Sequence, residues 1–400
     1  MSIKKLLSAL ENPDHPLLGP TLKGLNLWGL CQSAGWTSVA YNIIHISAIL
    51  FVISQYIELW YIRSDLPSAL RNLSVSMLST VCVVKASTFV YWQHDWRDIM
   101  NFVSALEIYQ ISKNDKAVNS IIKKYTQYSR RITYVYWFLV ISTVLTLILA
   151  PLISILSSPE DRVKIKNNTK SYPEIMSSWA PFDKSRGPGY IVITIEHVLI
   201  CFYGGGIVAN YDTNAFVLMS FIAGQMKIIR QNCERLFEGR DTSHDVILRR
   251  IACCYHHHIS LVKFAKVFND LLSPVMFLYV VICSLMICAS AIQLTMKNTT
   301  NMQKIWISEY LMSLITQLFM YCWHSNEVLD MSKKVDQGIY KSDWWSSNLR
   351  MRRNILLLGG QLRKTVIFTA GPFAVLSLST FIAILKGSYS YYTILSEKAD

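Results

Sequence analysis

The sequence predicts an all-α polytopic membrane protein with seven transmembrane helices, and three observations carry that expectation. Of its 400 residues 52% are hydrophobic and only 16% charged, with a mean hydropathy of +0.29, too apolar for a typical soluble domain. Hydrophobic windows recur near 38–61, 67–92, 132–157, 190–222, 268–293, 305–325 and 370–396. At about 1.5 Å of helical rise per residue, each can cross a hydrocarbon core of about 30 Å. Basic residues then orient the chain: 26 Lys and Arg fall in segments this topology places inside and 10 in those outside. The N-terminus is therefore expected in the cytosol and the C-terminus outside. The net charge of +13 is spread over these short loops rather than gathered in one patch, so the lipid bilayer and not a nucleic acid is the expected partner.

Taken in order, segment 1–37 has Lys4 and Lys5, but its apolar runs are broken by Glu11, Pro13 and Asp14. No signal-peptide core forms, and the segment is expected to stay uncleaved and cytosolic. The third span ends in Ser157-Ser158-Pro159, and the following loop 158–189 has no cysteine. None of the nine cysteines falls in a segment placed outside, so no extracellular disulfide framework is expected. Sequons at Asn167 and Asn298 do land outside and are candidate glycosylation sites, with Asn72 near the outer edge.

The fourth span is ambiguous, because apolar residues continue from Tyr190 to Ile229, about 60 Å of helix. Gly204-Gly205-Gly206, followed by Asn210-Tyr211-Asp212, either divides it into two spans or bends one long helix that leaves the membrane. Eight spans would spoil the basic asymmetry downstream, so seven are taken. The inner loops, each about 40 residues with helical periodicity, are not linkers. In 247–268, Ile247, Ile251, Cys254, His258, Leu261, Ala265 and Phe268 share one face, while Arg249, Arg250, Lys263 and Lys266 fall elsewhere. Such a face needs a partner, which 114–131, 326–340 or 348–362 (Leu349, Ile355, Leu356, Leu358) can supply. A helical cytoplasmic layer where subunits meet is one reading, and a helix lying on the inner leaflet is the other. The domains are then 1–37 cytoplasmic, 38–325 spans one to six, 326–365 a cytoplasmic helical anchor, and 366–400 the last helix with an extracellular end.

No constellation argues for catalysis, a metal or a cofactor. Cys253, Cys254 and His256-His257-His258 are consecutive on a helix, about 100° apart, and cannot converge on one ion. Gly204-Gly205-Gly206 lacks the Gly-Lys-Ser/Thr that a phosphate loop requires. Lys85, Glu196, His197 and Asp212 are ionisable groups inside spans, which mark either a functional site or a pairing that fixes the bundle.

The last span carries Ser377, Ser379, Thr380, Gly387, Ser388, Ser390 and Thr393. Small and hydroxyl residues suit close helix packing or a wetted surface. Gly387, Ser390, Tyr391, Ile394 and Lys398 recur at three- and four-residue steps, a narrow face that lines a channel or packs against sister helices.

Thr369-Ala370-Gly371, the block Phe373 to Phe381, Ile384-Leu385-Lys386 and above all Ser388-Tyr389-Ser390-Tyr391-Tyr392-Thr393-Ile394-Leu395 resemble the C-terminal signature of insect odorant receptors. Asn326-Glu327, Trp344 and Arg352-Arg353 also fall where that family often has a polar turn, an aromatic and a basic pair. The resemblance is close over about the last 75 residues and is carried elsewhere by hydropathy and length. It implies an odorant-binding subunit of a ligand-gated, non-selective cation channel, a heterotetramer with the family's shared co-receptor, in the plasma membrane of olfactory neuron dendrites. It also implies one long bent fourth helix and subunit contact through the cytoplasmic layer. The chain lacks the co-receptor's long second inner loop and so resembles the ligand-tuning subunit.

For a volatile apolar ligand the site should be an apolar cavity in the outer half of the bundle, with aromatics and one or two hydroxyls. With this topology the candidates are Met77, Leu78 and Val81 on the second span, Thr143, Leu147 and Ile148 on the third, His197, Cys201 and Phe202 on the fourth, and Tyr310, Ser313, Leu314 and Gln317 on the sixth. Plain core packing is the alternative for each. For the pore, the resemblance implies a hydrophobic constriction at Ile394, which would close by dewetting. Glu397 just outside would concentrate cations, partly cancelled by Lys398. A gustatory-type receptor ends its last helix in a Thr-Tyr…Gln-Phe pattern, from which Ser390-Tyr391 and Ser396-Glu397 depart. A G-protein-coupled receptor needs the reverse orientation, and a transporter would be expected to show repeated halves.

Overall fold

The computed structural model describes residues 10–32, 35–157, 159–167, 172–184, 187–239, 243–295 and 301–397. Its helices are α1 (Gly19–Leu27), α2 (Trp36–Ile62), α3 (Leu66–Tyr91), α4 (Gln93–Ser112), α5 (Lys116–Ser157), α6 (Pro159–Lys166), α7 (Gly187–Glu234), α8 (His244–Thr295), α9 (Asn301–Ser332), α10 (Gln337–Tyr340), α11 (Leu349–Leu362) and α12 (Leu378–Glu397). The seven membrane helices are α2, α3, α5, α7, α8, α9 and α12. The first five are long and apolar enough to cross a membrane on length and composition alone. The other two, at 32 and 20 residues, reach about 48 and 30 Å.

The bundle is built around α7, which is unbroken over 48 residues, about 72 Å. It is buried without interruption from Gly206 to Met226, so its polar face is absent because protein surrounds it on all sides. This explains an apolar run twice as long as a bilayer requires: its inner half is covered by α1, α5, α8, α9 and α10, not by lipid. Gly204-Gly205-Gly206 neither breaks nor divides the helix. A Cβ at Gly206 would lie 2.1 Å from the Trp28 ring, so the glycine permits close approach of the N-terminal segment.

That segment is more deeply placed than a cytosolic tail. Leu17, Leu18, Leu25 and Leu30 are fully buried, and α1 packs between α5 and α7. Its entry is fixed by the Leu17 N–H donating to Glu107 at 3.0 Å, by His15 Nδ1 against Ser104 Oγ at 2.6 Å, and by Arg130, which donates to Glu11 at 2.7 Å and to the Pro16 carbonyl at 2.5 Å. Burial pushes the Glu107 carboxyl up to about 7, against the opposing pull of the Tyr125 hydroxyl, the Leu17 N–H and Arg130.

The inner layer follows the periodicity of the sequence. Ile247, Ile251, Cys254, His258, Leu261, Ala265 and Phe268 are all buried, while Arg249, Lys263 and Lys266 are exposed. On α11, Met351, Ile355, Leu358 and Leu362 are buried and the helix packs on α8. Its start is capped by Asn348 Oδ1, which accepts from the Met351 N–H at 2.9 Å.

The last span begins later than its hydropathy suggests. Residues Thr369–Ala370 (β1) and Ala374–Val375 (β2) form a small antiparallel hairpin, with Thr369 opposite Val375 and Ala370 opposite Ala374, and α12 starts only at Leu378. The hairpin is stitched to α8 next to Pro274: Asn269 Oδ1 accepts from the Thr369 N–H at 2.8 Å, and Ser273 Oγ accepts from the Gly371 N–H at 2.9 Å. Gly371 has φ +62°, and a Cβ there would sit 2.8 Å from the Phe277 ring, so the turn needs glycine for both reasons.

Candidate functional site

Four helices converge on one buried ion pair. Lys85 on α3 meets Asp212 on α7 at 2.5 Å, both side chains fully buried. A carboxylate accepts through two oxygens, and here it takes three further donors: the hydroxyl of Tyr136 on α5 at 2.7 Å, Gln317 Nε2 on α9 at 2.5 Å and the hydroxyl of Tyr321 on α9 at 2.5 Å. The ammonium also lies 5.2–5.7 Å from the rings of Tyr211, Tyr279 and Tyr321. The pairing of Lys85 with Asp212 spans 127 residues of sequence, which is why residue type alone flagged each group but did not couple them.

Outward from this pair, the candidate ligand residues fall into two groups. Val81, Leu314 and Gln317 are buried, and Met77, Leu78, Thr143, Tyr310 and Ser313 are half-buried. Met77, Leu78 and Tyr310 pack on the core cluster that holds Val81 and Leu314. Thr143 Oγ1 and Ser313 Oγ approach to 3.4 Å across α5 and α9, and the Tyr310 hydroxyl donates to the Ser74 carbonyl at 3.3 Å. The second group lies nearer the outer end. Leu147 and Ile148 pack with Cys201 against Phe51 and against Ile175 and Met176 of the outer loop 172–184. Val144, which sequence reasoning did not single out, touches both clusters. His197 Nε2 pairs with Ser178 Oγ of the same loop at 2.9 Å. Phe202 does not join either group. It is exposed, as are Ile191, Ile195 and Leu199, a stripe at helical spacing that faces away from Cys201 and Tyr203. That all-apolar stripe was the signal that Phe202 faces outward, and Tyr203, one residue on, occupies the inner position.

The outer loop is fastened down. Lys184 donates to Glu58 at 2.9 Å, to Glu174 at 3.4 Å and to the Ser178 carbonyl at 2.6 Å. The Ser177 carbonyl accepts from Asn72 at 3.0 Å, and the Trp179 N–H donates to the Ser54 carbonyl at 3.2 Å. Glu196, by contrast, is exposed.

Helix α9 connects this region with the last helix. Below Gln317 and Tyr321 on the same helix, Ser325 Oγ donates to the Leu376 carbonyl at 2.6 Å, two residues before α12 begins, and Phe319 meets Phe381 of α12 edge to face at 5.5 Å. On α12, Ser388 is buried with its hydroxyl donating to the Ser284 carbonyl of α8 at 3.3 Å. Ile382, Lys386, Tyr389 and Ser390 are exposed, and a Cβ at Gly387 would meet nothing within 4 Å. The side chains of Tyr391, Ile394 and Glu397, with all of Lys398 and Asn298, lie outside the described residues.

Comparison with known proteins places this architecture. The family model described as 7tm Odorant receptor matches residues 65–389. Odorant receptor 82a of Drosophila melanogaster is 25% identical over 369 residues, covering 90% of this chain and 92% of that receptor. Odorant receptor Or2 of Anopheles gambiae is 23% identical over 214 residues, so that the chain spans 56% of its length. The structure of the insect olfactory receptor OR5 from Machilis hrabei in complex with eugenol superimposes with a TM-score of 0.80 at 17% identity, covering 94% of this chain and 96% of that one. The fold agrees over nearly the whole length, and the family match covers six of the seven membrane helices. The chain belongs to the insect 7tm odorant receptor family.

Proposed function

We propose that this chain is the odorant-binding subunit of a ligand-gated, non-selective cation channel that assembles with a shared co-receptor in the plasma membrane of olfactory neuron dendrites. The ligand pocket lies between α3, α5, α7 and α9, with Val81, Leu314, Met77, Leu78 and Tyr310 as its apolar and aromatic walls and Thr143 and Ser313 as its hydroxyls. Leu147, Ile148, His197 and Cys201 form its outer rim under the 172–184 loop. The observation that carries the reading is the double role of α9: the helix that presents Tyr310, Ser313 and Gln317 to the pocket also holds the segment leading into α12 through Ser325 and Phe319. A ligand that favours one position of α9 therefore biases α12, provided it binds that position more tightly than the other.

The last helix supplies the pore face through Gly387, Ser390, Tyr391 and Ile394, with Glu397 and Lys398 at its outer mouth. Its packing supports this division of faces, since Ser388 is turned into α8 while Ser390 is exposed. Contact between subunits is made in the cytoplasmic layer, where Leu349, Leu356 and Leu357 of α11 are 69%, 77% and 73% exposed, an apolar stripe opposite the face that α8 covers. Asn167, exposed at the end of α6, is the acceptor for an outer glycan, with Asn298 as a second. The test is whole-cell current during an odorant panel, with this chain expressed alone and with a co-receptor. Rapid cation current that requires both chains and survives G-protein block is expected; current abolished by that block would reject the channel reading.

A further inference from the structure

Several hydrogen-bond donors on the pocket wall are already spent on the protein's own acceptors. Gln317 shows this most clearly. A carboxylate only accepts, so the end of the Gln317 amide that faces Asp212 at 2.5 Å must be the NH2 group, and the carbonyl oxygen is turned away from it. That oxygen has no partner among the described residues and is not among their fully buried unpartnered atoms. Lys85 supports the arrangement: its ammonium meets the same carboxylate at 2.5 Å, leaving the amide NH2 group and not the amide oxygen to face Asp212.

Three neighbours show the same polarity. The Tyr310 hydroxyl donates to the Ser74 carbonyl, and the Thr143 hydroxyl to the Leu139 carbonyl at 2.9 Å. His45 Nε2 lies 3.2 Å from the Gly29 carbonyl and must carry the ring proton, so Nδ1 accepts from the Tyr203 hydroxyl at 2.7 Å. Each of these groups keeps lone pairs but has no proton left to give. Ser313 is an exception: with the Thr143 proton directed at the Leu139 carbonyl, the Ser313 hydroxyl has no acceptor nearer than Thr143 Oγ1 at 3.4 Å and remains able to donate.

We propose that the pocket selects ligands that donate a hydrogen bond, alcohols and phenols of otherwise apolar skeleton, over acceptor-only analogues, with Gln317 Oε1 as the principal acceptor and the Lys85–Asp212 pair as the device that fixes its orientation. The proposal rests on the pocket reading above and names the ligand class for it. A ketone or ether oxygen that meets Gln317 Oε1 faces a lone pair, and both lose their water without replacement.

The test uses the chain with its co-receptor, surface expression normalised by labelling, and matched sets sharing one skeleton: 2-phenylethanol with its methyl ether and phenylacetaldehyde, 1-octanol with 1-methoxyoctane and octanal, and 4-ethylphenol with 4-ethylanisole. In every set that evokes current the donor is expected to be about tenfold more potent. Gln317→Met should erase that advantage by weakening the donors alone. In the double variant Lys85→Met with Asp212→Asn, residue 212 can donate as well as accept, the Gln317 amide can turn over, and the advantage should narrow. Ser313→Ala should weaken the acceptor-only ligands and spare the donors. No donor advantage in the wild type, or an advantage that persists in Gln317→Met, overturns the proposal while leaving the pocket standing. If Gln317→Met and Ser313→Ala leave every ligand unchanged, or no set evokes current, the pocket reading itself fails.

Discussion

Removing either partner of the Lys85–Asp212 pair should destabilise the receptor, and the two removals should not be equal. A buried charge left without its partner costs about 3–5 kcal/mol. After Lys85→Met, the Asp212 carboxylate still accepts from Tyr136, Gln317 and Tyr321, so part of its lost stabilisation is retained. After Asp212→Leu, the ammonium keeps only ring faces more than 5 Å away, and three donors are orphaned at once, each worth about 0.6 kcal/mol on average between membrane helices. Asp212→Leu should therefore be worse than Lys85→Met by about 2 kcal/mol, and the double variant should be less damaged than the two losses added together. Thermal stability of the detergent-solubilised receptor, followed by size-exclusion chromatography, reads the order directly. Additive losses in the double variant, or Lys85→Met as the more damaging change, would refute the reasoning.

Three other consequences are as definite. Gly206→Ala should shift the melting temperature down by several degrees because its methyl meets the Trp28 ring, and Trp28→Leu should restore part of the loss in the same assay. Glu107 ionises at about 7 in the folded chain against 4.5 when unhindered, so between those values the folded state holds the extra proton and stability falls as pH rises. Melting curves of Glu107→Gln should lack that decline, and a slope equal to the wild type would contradict it. Lys184→Met removes the ties to Glu58, Glu174 and the Ser178 carbonyl, so hydrogen exchange should quicken in 172–184 and stay unchanged in α8.

Much of the fold was legible because burial is written as periodicity. The face from Ile247 to Phe268 is buried at every position named from its spacing, and α7 is one helix despite three consecutive glycines. What hydropathy misread was the medium around an apolar segment. The inner half of α7 looks like a second membrane span but is covered by protein, and 370–377 looks like the start of the last helix but forms a hairpin. Two-residue strands carry no periodicity, and their mutual pairing together with the bonds to Asn269 and Ser273 defines them. The same limit hid the N-terminal segment, whose short apolar runs at Leu17, Leu18 and Leu25 fill a groove between α5 and α7 that exists only once those helices are assembled.

The packing around the candidate residues was legible only in part. Thr143 and Ser313 on the third and sixth spans do meet, but which side of α7 faces inward required the exposed stripe that ends at Phe202. Lys85 and Asp212 stood out singly, and their pairing, with the donors that gather on it, is a property of four helices at once. Nothing local to the sequence ties the 172–184 loop to His197, since Ser178 is an ordinary loop serine until the loop folds back over the bundle.

The most direct test of the account is cysteine accessibility on the last helix. Gly387 has open space where a side chain would start, so Gly387→Cys should fold and reach the surface normally. In cells that also express a co-receptor, a membrane-impermeant cationic thiol reagent applied outside should block odorant-evoked current progressively in Gly387→Cys and Ser390→Cys, faster while odorant is present. The same reagent should leave Ser388→Cys, turned into α8, unaffected. Block at Ser388→Cys with none at Gly387→Cys or Ser390→Cys would contradict a pore lined by this face of α12.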